Sequence, residues 1–310
     1  MKPKFFQQPF SIETKLVRLR CRLHSSQFKL HQNFFQMRIL SPALHFFLFA
    51  ILWISGWKKK VLQTNLKLVY PKMRLNEQRK FRKELLWKLS RDASDFITRN
   101  TIYSPDDPHF IIDKESIPII DRMKHGGFLL TAHLGNYEAM GPWLCRLGVP
   151  LSASYSQIKP KFLNNWLYSH LRSVDKSEYS LFIHNPRQIL SLIDNHRLFC
   201  LLADQDYRKS HPTQGTFLGI PVNCNPIPEF ILRHRPKTPI YICWLKTDKK
   251  VRTLYAKQIF PNSSDKRKNI TSLYNIWLSQ KIIESKSDWY GWVHRRFLSN
   301  FELSKKIYSH

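Results

Sequence analysis

"LLTAHLGNYEAMG", residues 129–141, starts as an unbroken apolar run and finishes with the spacing of a helix. The stretch 128–132 is apolar enough for a buried strand, and His133 stands where that run stops. Asn136 is a suitable N-cap for a helix carrying Glu138, Met140 and Leu144. On one continuous helix His133 and Glu138 would lie about 140° apart and face away from each other. In a strand, loop and helix arrangement the loop can fold the carboxylate back onto the imidazole. Such a pair suits general-base catalysis, because a carboxylate on one ring nitrogen fixes the tautomer and raises the basicity of the other. The competing reading is a histidine merely hydrogen-bonded in a loop. The end of a strand, where open α/β sheets place their sites, favours chemistry.

Working outward, strand-like runs at 128–132, 151–155, 198–203 and 239–245 alternate with helix-like segments after Asn136, at 161–174, 186–195 and 227–235. This alternation predicts an α/β fold with a central, largely buried mixed sheet flanked by helices. Upstream, Phe81, Leu85, Leu89 and Phe96 recur at helical spacing, and the segment 61–100 reads as two helices broken near Pro71. No internal repeat or low-complexity linker interrupts 61–310, which is therefore expected to be one domain. Residues 1–60 form a basic N-terminal segment and a hydrophobic anchor. The run at 39–57 holds nineteen residues without formal charge, between Arg38 and Lys58-Lys59-Lys60. As a helix it would reach about 28 Å, barely the thickness of a hydrocarbon core. Pro42 and His45 weaken its first turn, and basic residues on both sides leave the orientation undetermined. A shallow or re-entrant membrane anchor is expected in preference to a clean span.

The 50 Lys and Arg against 22 Asp and Glu give a formal charge of +28, which calls for an anionic partner. Apolar residues make up 43% of the chain, enough to bury a substantial core and to set aside intrinsic disorder. The five cysteines are odd in number and widely spaced, so neither a disulfide framework nor a thiolate zinc site is indicated. No phosphate loop, dinucleotide fingerprint, serine-hydrolase elbow or zincin motif is present.

Two further stretches carry candidate chemistry. In "LLADQDYRKSHPTQGTFLGIPVN", residues 201–223, Asp204 and Asp206 follow an apolar run and form the D-x-D of metal-dependent glycosyltransferases, or a simple turn after a strand. In "DWYGWVHRRFLSN", residues 288–300, Trp289, Tyr290, Trp292 and Phe297 interleave with His294, Arg295 and Arg296. Arginine forks match phosphate oxygens and such rings suit a lipid–water boundary; a helix with a basic outer face is the alternative.

Taken in order, the H-x4-E of His133 to Glu138, the Ala203-Asp204-Gln205-Asp206-Tyr207 block with Phe217-Leu218-Gly219-Ile220-Pro221, and the closing Trp292-Val293-His294-Arg295-Arg296-Phe297 resemble the late acyltransferases of lipid A biosynthesis, the lauroyl and myristoyl transferases. The resemblance runs from about residue 40 to about 300 and implies a glycerolipid-acyltransferase-like fold. It implies transfer of a fatty acyl chain from acyl carrier protein to a hydroxyl of a phosphorylated lipid A precursor, at the inner membrane with the catalytic domain facing the cytoplasm. It also makes His133 the base and Glu138 its partner. Asn136, Asp204, Asp206, Arg295 and Arg296 are expected to organise or bind substrate, with Arg295 and Arg296 as phosphate contacts. No metal or cofactor is implied beyond the acyl thioester co-substrate, and no nucleic acid partner. Related enzymes act on other glycolipids with coenzyme A thioesters, so donor and acceptor stay open at this level. A glycosyltransferase or a basic nucleic-acid-binding protein are the rivals from other classes.

Overall fold

A computed structural model of the chain describes residues 27–98, 109–154, 161, 173–174, 177–178, 180–181, 185–248, 251–259 and 269–299. Its strands are β1 (Phe110–Ile112), β2 (Gly127–Thr131), β3 (Leu151–Ser154), β4 (Ser173–Val174), β5 (Ser177–Glu178), β6 (Ser180–Leu181), β7 (Leu198–Leu202), β8 (Thr213–Phe217), β9 (Ile220–Cys224), β10 (Ile240–Asp248) and β11 (Val251–Ile259). Seven of them form the central sheet in the order β1-β11-β10-β2-β7-β3-β6. Every neighbouring pair in it is parallel except β10 with β11, so the sheet is mixed, as expected. β2, "GFLLT", lies in the middle with all five residues buried, which a parallel strand covered on both faces requires.

Period-two alternation splits the apolar residues of the central strands into two clusters. Phe128, Leu130, Phe199 and Leu201 point to one face, where Leu66, Phe81, Leu85 and the aromatic residues Trp289 and Trp292 cover them. Leu129, Cys200, Tyr241 and Cys243 point to the other, against Ile120, Met140 and Leu144. Of three N-terminal helices, α1 (Gln27–Ile54), α2 (Lys59–Val69) and α3 (Leu75–Ile97), α2 and α3 cover the first face and α1 packs against α3. The other described helices are α4 (Ile117–Met123), α5 (Tyr137–Arg146), α6 (Pro186–Asp194), α7 (Ile227–His234) and α8 (Ile270–Ser285). The expected break near Pro71 separates α2 from α3. The helix expected over 161–174 falls almost wholly outside the described residues, and its last two positions form β4 instead.

The apolar run at 39–57, expected as a shallow or re-entrant anchor, lies mostly within a longer helix. It is the second half of the 28-residue helix α1, with Pro42 inside it, and the helix stops at Ile54. The guanidinium of Arg82 donates to the carbonyls of Leu52 (3.0 Å) and Trp53 (3.2 Å), which supplies partners for the free carbonyls of that terminus. Arg82 itself is buried beneath the Trp53 ring, 4.6 Å from its centroid. Ser41 joins α1 to α3 by accepting from Ser94 through its carbonyl (2.7 Å) and donating to Asp95 (3.4 Å). One side of α1 is thus fixed by polar contacts to α3, whereas Phe46, Phe47, Ile51 and Ile54 are exposed. Among the described residues no helix is long and apolar enough to cross a membrane. The turn 55–58 that follows lies beside the boundary expected at residue 60, and α1 packs against α3 across it.

Candidate active site

β2 and β7 run parallel with Thr131 opposite Leu202, so the second residue beyond each strand arrives at the same place. Those residues are His133 and Asp204. Asp204 Oδ1 accepts from His133 Nδ1 at 2.8 Å, and Oδ2 accepts from the His133 backbone N–H at 3.1 Å and the Trp289 indole N–H at 2.8 Å. An ionised carboxylate has no proton to give, so Nδ1 is the protonated ring nitrogen and Nε2 carries the lone pair. Burial alone would raise the Asp204 pKa, but the charge and ring bond of His133, with the Trp289 and backbone donors, hold it at about 2. For His133 burial works downward and is outweighed by the charge and hydrogen bond of Asp204 and then by Glu138, so its pKa is raised. The imidazole is therefore a stronger base than a free histidine. Glu138, expected to hold the ring, sits in the first turn of α5 and acts on it through space; the nitrogen it was expected to bind is taken by Asp204.

The loop bearing His133 is fixed from both sides. Gly135 has φ +61°, and a Cβ there would come within 2.1 Å of the Leu245 carbonyl oxygen, so only glycine fits. Its N–H donates to the Asp288 carbonyl (2.8 Å), and the Tyr290 N–H donates to the His133 carbonyl (2.8 Å). Asn136 caps α5 as expected, its Oδ1 accepting from the Ala139 N–H at 3.3 Å. Its amide nitrogen is buried and has no acceptor among the described residues. The ring of Tyr137 stands edge-on to His133 at 4.7 Å, that of His294 lies 6.1 Å away, and the Gln205 amide nitrogen is 3.3 Å from His133 Nε2. Partial desolvation of its ring first, then the charges of His133 and Lys58, lower the His294 pKa despite the opposing pull of Asp204.

The block at 288–299 departs from the reading of a lipid-facing, phosphate-binding surface. Trp289, Trp292 and Phe297 are fully buried, Tyr290 nearly so, and the segment is made of short 3-10 turns. Gly291 is required because a Cβ would lie 2.0 Å from the Trp289 ring. Arg296 is only 1% exposed, stands 5.0 Å from the Phe217 ring centroid, and is spent on the Asn223 carbonyl (3.2 Å) and Asp206 (3.6 Å). It presents no charge to a phosphate outside. Arg295 and His294 are exposed beside it. Asp206 accepts from Ser299 as well, so the two carboxylates of the D-x-D have separate partners, and neither is turned to the other's task. Among the described residues no three His, Cys, Asp or Glu side chains gather as metal ligands.

Sequence reasoning does not find Trp289 as the second donor to Asp204, nor Gln205 at the open nitrogen. Trp289 is one of several interleaved aromatics with nothing in its spacing to single it out. The Asp204 pairing has a signal, since two buried apolar runs that end in a polar residue are the pattern of neighbouring parallel strands. The order of the strands has to be known before that signal can be read.

A histidine held by a buried carboxylate at the C-terminal edge of a mixed α/β sheet is chemically able to take a proton from a hydroxyl or a comparable nucleophile. Residues 37–299 match the family described as bacterial lipid A biosynthesis acyltransferase. The chain belongs to that family, and it is an acyltransferase. Among curated proteins none matches it.

Proposed function

We propose that the protein moves a fatty acyl chain from an acyl carrier protein thioester to a hydroxyl of a phosphorylated lipid A precursor, with His133 as general base. The observation that carries this reading is the bond between His133 Nδ1 and Asp204, which leaves Nε2 as a lone pair at the open side of the site. The acceptor O–H gives its proton to Nε2 as the oxygen forms its bond to the thioester carbonyl carbon. Collapse of the tetrahedral intermediate breaks the C–S bond, and the departing thiolate takes the proton from the imidazolium. A thioester carries its own leaving group, so no covalent enzyme intermediate is needed. Asp204 orients the ring and stabilises its charged form; Glu138 adds to its basicity through space. Asn136, whose buried amide nitrogen has no acceptor among the described residues, is assigned as donor to the developing oxyanion.

The same reading gives the exposed apolar face of α1 a role. Phe46, Phe47, Ile51 and Ile54, followed by exposed Lys58, Lys59 and Lys60, combine what an anionic bilayer surface attracts, so α1 is proposed to lie shallowly in the interface of the inner membrane. Lys58, whose charge reaches His294, and Arg295 next to His294 in the chain are then exposed cations proposed for the acceptor's phosphates or for an acidic carrier protein. The decisive assay uses purified, detergent-solubilised protein, acyl carrier protein thioesters and a tetra-acylated lipid A precursor. A product heavier by one acyl chain is expected, with a loss of about 10²–10⁴-fold in His133→Ala. A His133→Ala protein that transfers at the wild-type rate would overturn the assignment.

A further inference from the structure

We infer that Gln205 is a plug on the catalytic base, holding its proton-accepting nitrogen until the proper acceptor displaces it and so protecting the acyl donor from water. The inference rests on His133 acting as the base. With Nδ1 committed to Asp204, Nε2 is the only ring nitrogen that can take a proton, and the Gln205 carboxamide nitrogen lies 3.3 Å from it. An amide N–H donates to such a lone pair and cannot take a proton from anything bound there. The resting base is thereby engaged in its own site.

The neighbours of Gln205 make the arrangement a hinge of one side chain. Asp204 before it is held by the His133 backbone and by Trp289, and Asp206 after it by Ser299 and Arg296. The backbone between two such anchors is fixed, whereas the Gln205 side chain is exposed and turns without disturbing the core. Tyr137 and His294 flank the imidazole at ring distances of 4.7 and 6.1 Å, and neither makes a hydrogen bond to Nε2. Among the described residues, access to the lone pair is therefore decided at Gln205.

The chemistry gives this plug a purpose. Water can attack the thioester by the same route as a hydroxyl: its proton goes to Nε2, a C–O bond forms, the C–S bond breaks, and a free fatty acid and a thiol result. Water arrives with no binding energy beyond its own hydrogen bonds, while a glycolipid acceptor brings that of its whole body to the displacement of one amide. The site thus discriminates between the two nucleophiles before any bond is made.

The test compares wild type, Gln205→Ala, Gln205→Leu and the double variant His133→Ala/Gln205→Ala, using full-length protein in detergent. Release of free fatty acid from an acyl carrier protein thioester without acceptor is read first, then the ratio of transfer to hydrolysis with acceptor present. Removing one hydrogen bond should raise hydrolysis by about five- to tenfold in Gln205→Ala and Gln205→Leu, with no such rise in the double variant. Independently of any acyl substrate, His133 should react faster with diethyl pyrocarbonate in Gln205→Ala. Unchanged hydrolysis and unchanged His133 reactivity, in a protein whose transfer still depends on His133, would overturn the plug alone. Transfer that does not depend on His133 would remove the reading beneath it and the plug together.

Discussion

The loop after β2 and the segment 286–299 meet at one site, and they serve it in opposite ways. The first brings a single reactive group, the His133 imidazole, to an accessible position. The second is mostly interior: Trp289, Trp292, Arg296 and Phe297 are among the largest fully buried side chains of the protein, while Lys286, His294 and Arg295 are exposed. Yet the second holds the first, through the Trp289 bond to Asp204 and the Tyr290 and Asp288 backbone bonds to the loop. A sequence block rich in arginine and tryptophan is here a scaffold for chemistry located elsewhere.

Four substitutions separate the two roles. Asp204→Asn should have the largest effect, a fall in kcat on the order of 10³-fold, because an amide in place of the carboxylate no longer fixes the tautomer or stabilises the imidazolium. The pH profile gives the sign. The base works only when neutral, and the His133 pKa is raised, so the wild-type rate should fall with decreasing pH at a midpoint above the ordinary 6.5. That midpoint should drop in Asp204→Asn and move far less in Glu138→Gln; the reverse order would return the pairing to Glu138. Arg296→Met should act on the scaffold and cost about 3 kcal/mol of stability in chemical denaturation, since it strands the Asp206 carboxylate in the interior. The acceptor KM should stay near the wild-type value, and a selective rise in it without loss of stability would restore the phosphate-binding reading. Asn136→Asp keeps the oxygen that caps α5 and removes the amide N–H. Its kcat should fall by about 10²-fold with little change in melting temperature, whereas an unchanged kcat would strip Asn136 of the oxyanion role.

Much of the sheet can be read from the sequence because its strands are buried on both faces and therefore apolar throughout. β2, β3, β7 and β10 all fall within a few residues of the runs that predict them, and Asn136 announces the start of α5. The edge elements are less legible. β1 is only three residues long with none of them buried, β11 alternates buried with less buried residues, and the β8–β9 hairpin carries Gly215 and Pro221, so none gives a long apolar run. His133 is visible as a site residue because it ends a strand. Its true carboxylate lies 71 residues away and is set by strand order, which local spacing cannot encode. Arg296 misleads for a related reason: its charge is plain in the sequence, while Asp206, which absorbs it, is reached only through the fold.

Asn65 of α2, fully buried, donates both its amide hydrogens to the carbonyls of Trp292 and His294, each at 2.8 Å and as many as 227 and 229 residues away. Contacts of such sequence separation form late, because the intervening chain has to be ordered first. During synthesis α1, α2 and α3 leave the ribosome long before the segment that supplies Trp289 to Asp204 and Tyr290 to the His133 loop. In a growing chain the His133 imidazole therefore lacks its fixed tautomer until that segment has been made. The pairing of His133 with Asp204 is complete only when the last tryptophans close over it, so the C-terminal block is the final step in assembling the site.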